Sequence, residues 1–266
     1  LETLGMPVDT RARFADLLAV PHGIVLVTGP TGSGKTTTLY AALQTLDRAT
    51  RNIITVEDPV EYDLPGIGQI QVNARIDLDF ARALRSILRQ DPDVVMIGEI
   101  RDLDTAQIAV QASLTGHLVL ATLHTNDAAA AITRLIDLGV ESFLLASCLR
   151  GVLAQRLVRR LCAACRRSTA ANDADRAVLG ASCPSTMWSA SGCPNCGRIG
   201  YDGRSGIFEL LVADETLARL IHDRAADADL RRHARENGAR SLREDGLRYL
   251  ADGITSPEEL IRVTRD

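Results

Sequence analysis

The chain has 266 residues, 46% of them hydrophobic and 24% charged, with a net charge of −4. That length supports one sizeable α/β core with a smaller appendage, while the negative balance excludes a general electrostatic attraction to nucleic acid or anionic lipid. No apolar run approaches the roughly 18 residues that cross a bilayer, the first residues lack a charged-then-apolar signal pattern, and with only 3% aromatics the interior must be filled by Ala, Leu, Ile and Val.

Residues 1–20 read as a short amphipathic helix, punctuated by Pro21 and Gly23. Ile24–Val27 reads as a buried strand. The loop Gly29-Pro30-Thr31-Gly32-Ser33-Gly34-Lys35-Thr36 follows and matches G-x-x-x-x-G-K-[ST] without mismatch, and Leu39, Leu43 and Leu46 then recur at helical spacing. Strand, glycine-rich loop and helix in that order mark a phosphate-binding site rather than a chance turn. Glycines let the backbone curl until several N–H groups face one anion, and the helix adds its positive dipole end. Lys35 reaches the outer phosphates and the Thr36 hydroxyl can hold magnesium. The expected phosphate-binding set is Gly29, Pro30, Thr31, Gly32, Ser33, Gly34, Lys35, Thr36 and the adjacent Thr37.

Ile53–Val56 is the next strand, running into the acidic stretch Thr55-Val56-Glu57-Asp58-Pro59-Val60-Glu61-Tyr62. Hydrolysis of a phosphoanhydride needs a group that orients the water; Glu57, nearest the strand end, is the first candidate and Glu61 the second. Phe80, Leu84, Ile87 and Leu88 line one face of a helix. Val94–Ile97 then leads through Gly98 to Glu99, which places a carboxylate at the edge where open α/β sheets bind ligands. Glu99 can hold the magnesium through water or polarise the attacking water. Leu118–Ala121 is flanked by His117 and His124; His124 with its Thr and Asn neighbours can hydrogen-bond a γ-phosphate and report its loss, while His117 has the weaker case. Continuous apolar strands alternating with helices predict a mostly parallel, doubly wound sheet.

Composition changes near Cys162. Cys162-x-x-Cys165 and Cys193-x-x-Cys196 form two knuckles in a loop-rich stretch. In a chain without a secretory signal this spacing favours zinc over disulfides or redox thiols, each turn aiming two thiolates at one ion; Cys148 and Cys183 are left as spare thiols. From Asp214 onward the pattern is short helices, the last starting at Ser256-Pro257-Glu258-Glu259, a capping box with proline at its first position.

Four segments together resemble the secretion ATPases, in particular the type II secretion motors, with the type IV pilus motors as close relatives. Gly29–Thr36 resembles that family's Walker A, Thr55–Tyr62 its Asp box, Gly98-Glu99-Ile100-Arg101-Asp102 its Walker B and Gly116–Thr125 its His box. Arg89–Val95, Gly151–Leu157, Gly200–Arg204 and Gly206–Glu209 are also similar, so the resemblance runs from about Leu4 to Thr264. It implies a RecA-like P-loop core over 1–160, a tetracysteine zinc-binding unit over 161–206 and a C-terminal helical unit over 207–266. It further implies ATP and Mg²⁺ at the phosphate loop, Zn²⁺ on the cysteines, a hexameric homo-oligomeric ring, inner-membrane platform proteins as partners, and a place on the cytoplasmic face of that membrane. The family's N-terminal domains are expected to lie outside this chain. The cysteines favour a secretion or pilus-assembly motor over a retraction motor. Arg101, Arg156 and Arg159 are the internal arginines to inspect for contact with a neighbouring nucleotide. Two other classes stay open: a zinc-ribbon module acting on nucleic acid through Arg156, Arg159, Arg160, Arg166 and Arg167, against which the charge stands, and a small-molecule kinase, for which no acceptor pocket is visible.

Overall fold

The four predicted strands become the parallel centre of a seven-stranded sheet. A computed structural model of the chain describes residues 1–171, 173–180 and 183–265; residues 172, 181 and 182 of the cysteine segment and residue 266 at the end of the last expected unit lie outside it. The strands are β1 (Gly23–Thr28), β2 (Ile53–Glu57), β3 (Gly68–Gln71), β4 (Val94–Ile97), β5 (Leu118–Leu123), β6 (Leu149–Leu161) and β9 (Tyr201–Val212), with β7 (Arg167–Ala170) and β8 (Thr186–Ser189) forming a separate hairpin. The sheet order is β3-β2-β4-β5-β1-β6-β9, parallel throughout except that β9 runs antiparallel to β6.

Both faces of this sheet are covered, which is why its strands read as unbroken apolar runs. Alternate side chains serve two cores: Ile24 and Leu26 face one, Val25 and Val27 the other. Helices α1 (Val8–Ala19) and α2 (Lys35–Leu43) cover one face through Phe14, Leu17, Leu18, Leu39, Tyr40 and Leu43. Helices α3 (Phe80–Ile87), α4 (Leu103–Leu114), α5 (Ala128–Asp137) and α6 (Ser142–Cys148) cover the other. Chain order continues with α7 (Asp173–Leu179) in the cysteine segment, then α8 (Glu215–His222), α9 (Asp227–Glu236), α10 (Leu242–Ala251) and α11 (Pro257–Val263). Many of these helices start at an acid or serine that accepts a backbone N–H three residues on: Asp79, Asp102, Asp127, Asp214, Ser241 and Ser256.

Strand β6, like β3 and β7–β9, has no counterpart among the four predicted strands. It pairs with β1 only as far as Ala154, opposite Thr28; from Gln155 to Leu161 it pairs with β9 alone. The β6–β9 ribbon therefore projects past the sheet edge that carries the glycine-rich loop, and the cysteine segment hangs from its end. That end docks on the turn between α10 and α11: Leu161 N donates to Ile254 O at 2.7 Å, and Thr255 Oγ1 donates to Arg159 O at 2.8 Å.

Ser256 caps α11 as expected, but Glu259 does not complete a capping box. Its carboxylate instead accepts from Arg159 N (3.1 Å) and Nη2 (2.7 Å), and from Arg262 Nε (2.9 Å) and Nη2 (2.7 Å). Burial opposes the charge, but the Arg262 and Arg159 bonds prevail and hold the carboxyl at about 2. Because the folded value lies below the unfolded one, this stabilisation is present above the usual glutamate range and is lost as pH falls from about 4.5 to about 2. Glu259→Gln should cost about 2–3 kcal/mol at pH 7, since hydrogen bonds to a charged group are lost at a buried position; urea unfolding should show the gap to wild type closing as the pH is lowered through that window.

Candidate functional site

Parallel registers bring the tips of β1, β2, β4 and β5 to one edge, where Thr28 lies opposite Leu123 and Ala154, Ile97 opposite Ala121, and Val56 opposite Ile97. Gly29, Glu57, Glu99 and His124 are thus neighbours by topology. The β1 and β5 tips are also tied directly: Thr28 Oγ1 lies 2.7 Å from Thr125 Oγ1 and accepts from Thr125 N at 3.0 Å.

The glycine-rich loop runs from β1 into α2 with Gly34 as the left-handed cap of that helix. Lys35 is only 8% exposed and donates to the carbonyls of Gly29 (2.8 Å) and Pro30 (3.1 Å), so its ammonium is folded back over the loop. Burial lowers its pKa and the nearby Glu99 carboxylate opposes that shift. Thr36 is partly exposed; Thr31, Gly32 and Thr37 face solvent. Gly29 must be glycine: a Cβ there would sit 2.3 Å from Gln155 O and 2.6 Å from Ser33 Oγ.

The two acids differ in environment. Glu57 is 2% exposed, accepting from Thr55 Oγ1 (2.6 Å), Gln69 Nε2 (3.1 Å) and Tyr40 Oη. Burial and the Glu57 partner push the Tyr40 phenol's pKa up, so it remains a donor. Glu99 is more open; it accepts from Arg101 Nη2 and lies 3.4 Å from His124 Nε2. Arg101 also approaches Asp58 at 3.8 Å. The structure brings Lys35, Glu99, Arg101 and His124 into one cluster and keeps Glu57 in a hydrogen-bonded recess beside it. Asp102 caps α4 rather than joining them. His117 lies at the opposite end of β5, where Nδ1 is 2.9 Å from Ala112 O at the end of α4.

Of the other arginines, Arg156 donates to Asn126 O (3.2 Å) and Oδ1 (3.1 Å), bracing the segment after His124. Arg159 is spent on Glu259 and lies over the Tyr201 ring at 4.0 Å. Arg166 stacks on Trp188 at 4.5 Å and donates to Gly253 O. A cavity of about 1020 Å³ opens beside His124, bordered by Asn126, Arg156, Glu209 and Arg231. In it burial pushes the Glu209 carboxyl up to about 7, against the bond from Ala128 N.

Sequence reasoning passed over Gln155, Tyr40 and Gln69. Gln155 is 2% exposed; its Nε2 donates to Ser33 O at 2.8 Å and its Oε1 accepts from Thr38 Oγ1 at 2.6 Å. The available signal was a glutamine directly after the apolar run Val152–Ala154, inside the family-like stretch Gly151–Leu157.

The four predicted cysteines also converge. Cys162 and Cys193 sulfurs are 3.9 Å apart, Cys165 and Cys196 3.9 Å, Cys193 and Cys196 3.8 Å, and all four lie within 4.8 Å of one another, an arrangement that could hold a metal ion. Backbone N–H groups of Cys193 (3.3 Å) and Gly200 (3.2 Å) donate to Cys196 Sγ. The Cys193 donor, opposed by burial and aided by Gly200, brings that thiol down to about 6. Cys148 is buried in the main core and Cys183 stands apart from the cluster.

Strand order, loop and acid-tipped neighbouring strands together define an α/β protein of the RecA-like phosphate-loop class with an added tetracysteine element. The family model described as type II/IV secretion system protein matches residues 1–262, and the chain belongs to that family. It is 65% identical over its whole length to the Pseudomonas aeruginosa type II secretion system protein HxcR, covering 54% of that protein. It is 56% identical to the Vibrio cholerae type II secretion system ATPase E, covering 53% of it. The crystal structure of the pilus retraction motor PilT with bound ADP superposes with a TM-score of 0.73 at 29% identity, over the whole of this chain and 66% of PilT. The chain spans about half the length of the curated relatives it matches.

Proposed function

We propose that the chain is the ATP-hydrolysing motor portion of a type II secretion system, driving pseudopilus assembly from the cytoplasmic face of the inner membrane. The observation that carries this reading is the convergence of Lys35, Glu99 and His124 on the glycine-rich loop, in a chain more than half identical to proteins named for type II secretion. A type IV pilus-assembly motor is the runner-up, supported by the likeness to PilT. The domain reading is retained as part of the proposal: a core over 1–160, a tetracysteine unit over 161–206 and a helical unit over 207–266. So are a hexameric ring, inner-membrane platform proteins as partners, and no role for nucleic acid.

In this reading loop amides and Lys35 grip the triphosphate. Thr36 and Glu99 offer the hard oxygen donors that Mg²⁺ prefers; the ion would neutralise charge on the transferred phosphoryl group. Glu57, with Glu99, orients the attacking water, and release from Tyr40 or Gln69 is required before the Glu57 carboxylate can reach it. Loss of the γ-phosphate changes the His124–Glu99 contact and, through Asn126, the grip of Arg156. On the cysteines, sulfurs 2.3 Å from a tetrahedral zinc are separated by about 3.8 Å, which supports Zn²⁺ there.

Turnover in the full-length protein separates the two acids. Glu57→Gln should lower kcat by about 100-fold or more, the range of general-base loss, with Mg·ATP affinity kept. Glu99→Gln should also raise the Mg²⁺ concentration needed for half-maximal rate. Unchanged kcat in both would discard the assignment.

A further inference from the structure

Gly32 and Gly34 flank Ser33 with φ of 77° and 86°. The Ser33–Gly34 peptide turns about ψ of Ser33 and φ of Gly34, and glycine leaves the second of these nearly free, so the loop alone does not decide which way that peptide faces. That choice matters for an anion. In a trans peptide the carbonyl and the following N–H point in opposite directions. One orientation offers the Gly34 N–H to the phosphates; the other offers the Ser33 carbonyl oxygen, which repels them. The Ser33 N–H is already spent on Pro30 O at 3.2 Å.

We propose that Gln155 is a positioning residue that holds the Ser33–Gly34 peptide in its phosphate-accepting orientation. Its carboxamide lies between Ser33 O and Thr38 Oγ1. A carbonyl oxygen only accepts, so the amide nitrogen must face Ser33 and the amide oxygen must face Thr38. The lock is thus directional: α2 anchors one end of the carboxamide and the other end draws the Ser33 carbonyl toward β6, turning the Gly34 N–H away from β6. Gln155 touches the loop a second time through its main-chain oxygen, against which Gly29 packs with no room for a Cβ. Its side chain is buried, so water does not compete for these bonds. Gln155 is also the first β6 residue beyond the β1 pairing, so the ribbon that carries the cysteine segment starts at the phosphate loop.

The inference rests on the reading that the loop binds nucleoside phosphates, and the test separates the two. Mg·ADP is titrated by calorimetry into this chain as wild type, Lys35→Ala, Gln155→Met, Gln155→Glu and Thr38→Val, with thermal unfolding recorded for each. Gln155→Met keeps length and neutrality but lacks the donor; Gln155→Glu keeps the acceptor for Thr38 but turns an acceptor on Ser33. Both should raise Kd by about tenfold or more at unchanged stoichiometry, and Thr38→Val, which keeps the donor, by no more than about threefold. A merely structural role would lower the unfolding temperature and the binding stoichiometry while leaving Kd of the folded fraction alone, and that result overturns the proposal. So does a Gln155→Met protein within threefold of wild type, whatever Gln155→Glu does, since the defect is then one of charge. If wild type itself fails to bind Mg·ADP, the nucleotide reading falls and the inference falls with it.

Discussion

Lys35→Ala should abolish measurable Mg·ATP binding, raising Kd by about 100-fold or more in a titration of the purified chain. The ammonium sits in the loop it serves, bonded to Gly29 O and Pro30 O and screened from water. Two unit charges 4 Å apart in a medium of effective dielectric near 20 attract by about 4 kcal/mol. Part of that is offset because the ammonium gives up its two carbonyl partners when it turns to a phosphate. A net loss of about 3 kcal/mol corresponds to roughly a hundredfold in Kd. Lys35→Arg should not rescue, because a planar guanidinium cannot occupy the space of a compact ammonium under the loop. A Lys35→Ala chain that binds with wild-type affinity would remove the clamp from the mechanism.

The second large effect is expected at the cysteines. Cys196→Ser should reduce bound zinc from one ion per chain to none by elemental analysis, and should open the segment between residues 166 and 192 to limited proteolysis. Structural zinc in small peptides contributes roughly 10–16 kcal/mol of apparent binding energy at neutral pH, as much as the entire stability of a typical domain. The β7–β8 hairpin is short, with β7 exposed along its length and Met187 of β8 its one fully buried side chain, and two-stranded hairpins are marginal without support. The main sheet should survive. Its strands are buried in two separate cores, and the ribbon end remains attached through Leu161 and Arg159 to the α10–α11 turn. Nucleotide affinity in Cys196→Ser should therefore stay within a few-fold of wild type, since Gln155 and Cys162 are separated by roughly 20 Å of extended strand. Retained zinc in the variant, or loss of nucleotide binding together with it, would count against this division of labour.

The arginine-rich stretch near the cysteines had an alternative reading as a nucleic-acid surface. In the folded chain Arg156 braces Asn126, Arg159 neutralises Glu259 and Arg166 stacks on Trp188. Arg159 and Arg166 tie the ribbon end to the C-terminal helices and the turn between them, and Arg156 ties the ribbon to the segment after His124. Charge counted along a sequence does not distinguish a solvated patch from a set of internal ties.

What could be read from the chain alone was whatever is encoded locally. The loop Gly29–Thr36, the apolar strands, the cysteine pairs and the serine before Pro257 each announce themselves within a few residues, because backbone freedom, side-chain periodicity and ligand spacing are short-range properties. The tertiary structure decided what depends on residues far apart in the chain. Glu259 passes over its own helix cap for Arg159, about a hundred positions away, because a buried carboxylate is stabilised more by two guanidinium groups than by one backbone N–H. Glu57 and Glu99 look alike as strand-end acids, yet one is enclosed by Tyr40, Thr55 and Gln69 while the other is half-buried against the charged Arg101 and beside His124. Gln155 falls in the family-like stretch Gly151–Leu157, where no local chemistry assigns it a role, and it reaches the phosphate loop only because β6 is laid beside β1 by the sheet. The partner of a buried polar group is chosen by long-range packing, and no window of neighbouring residues contains it.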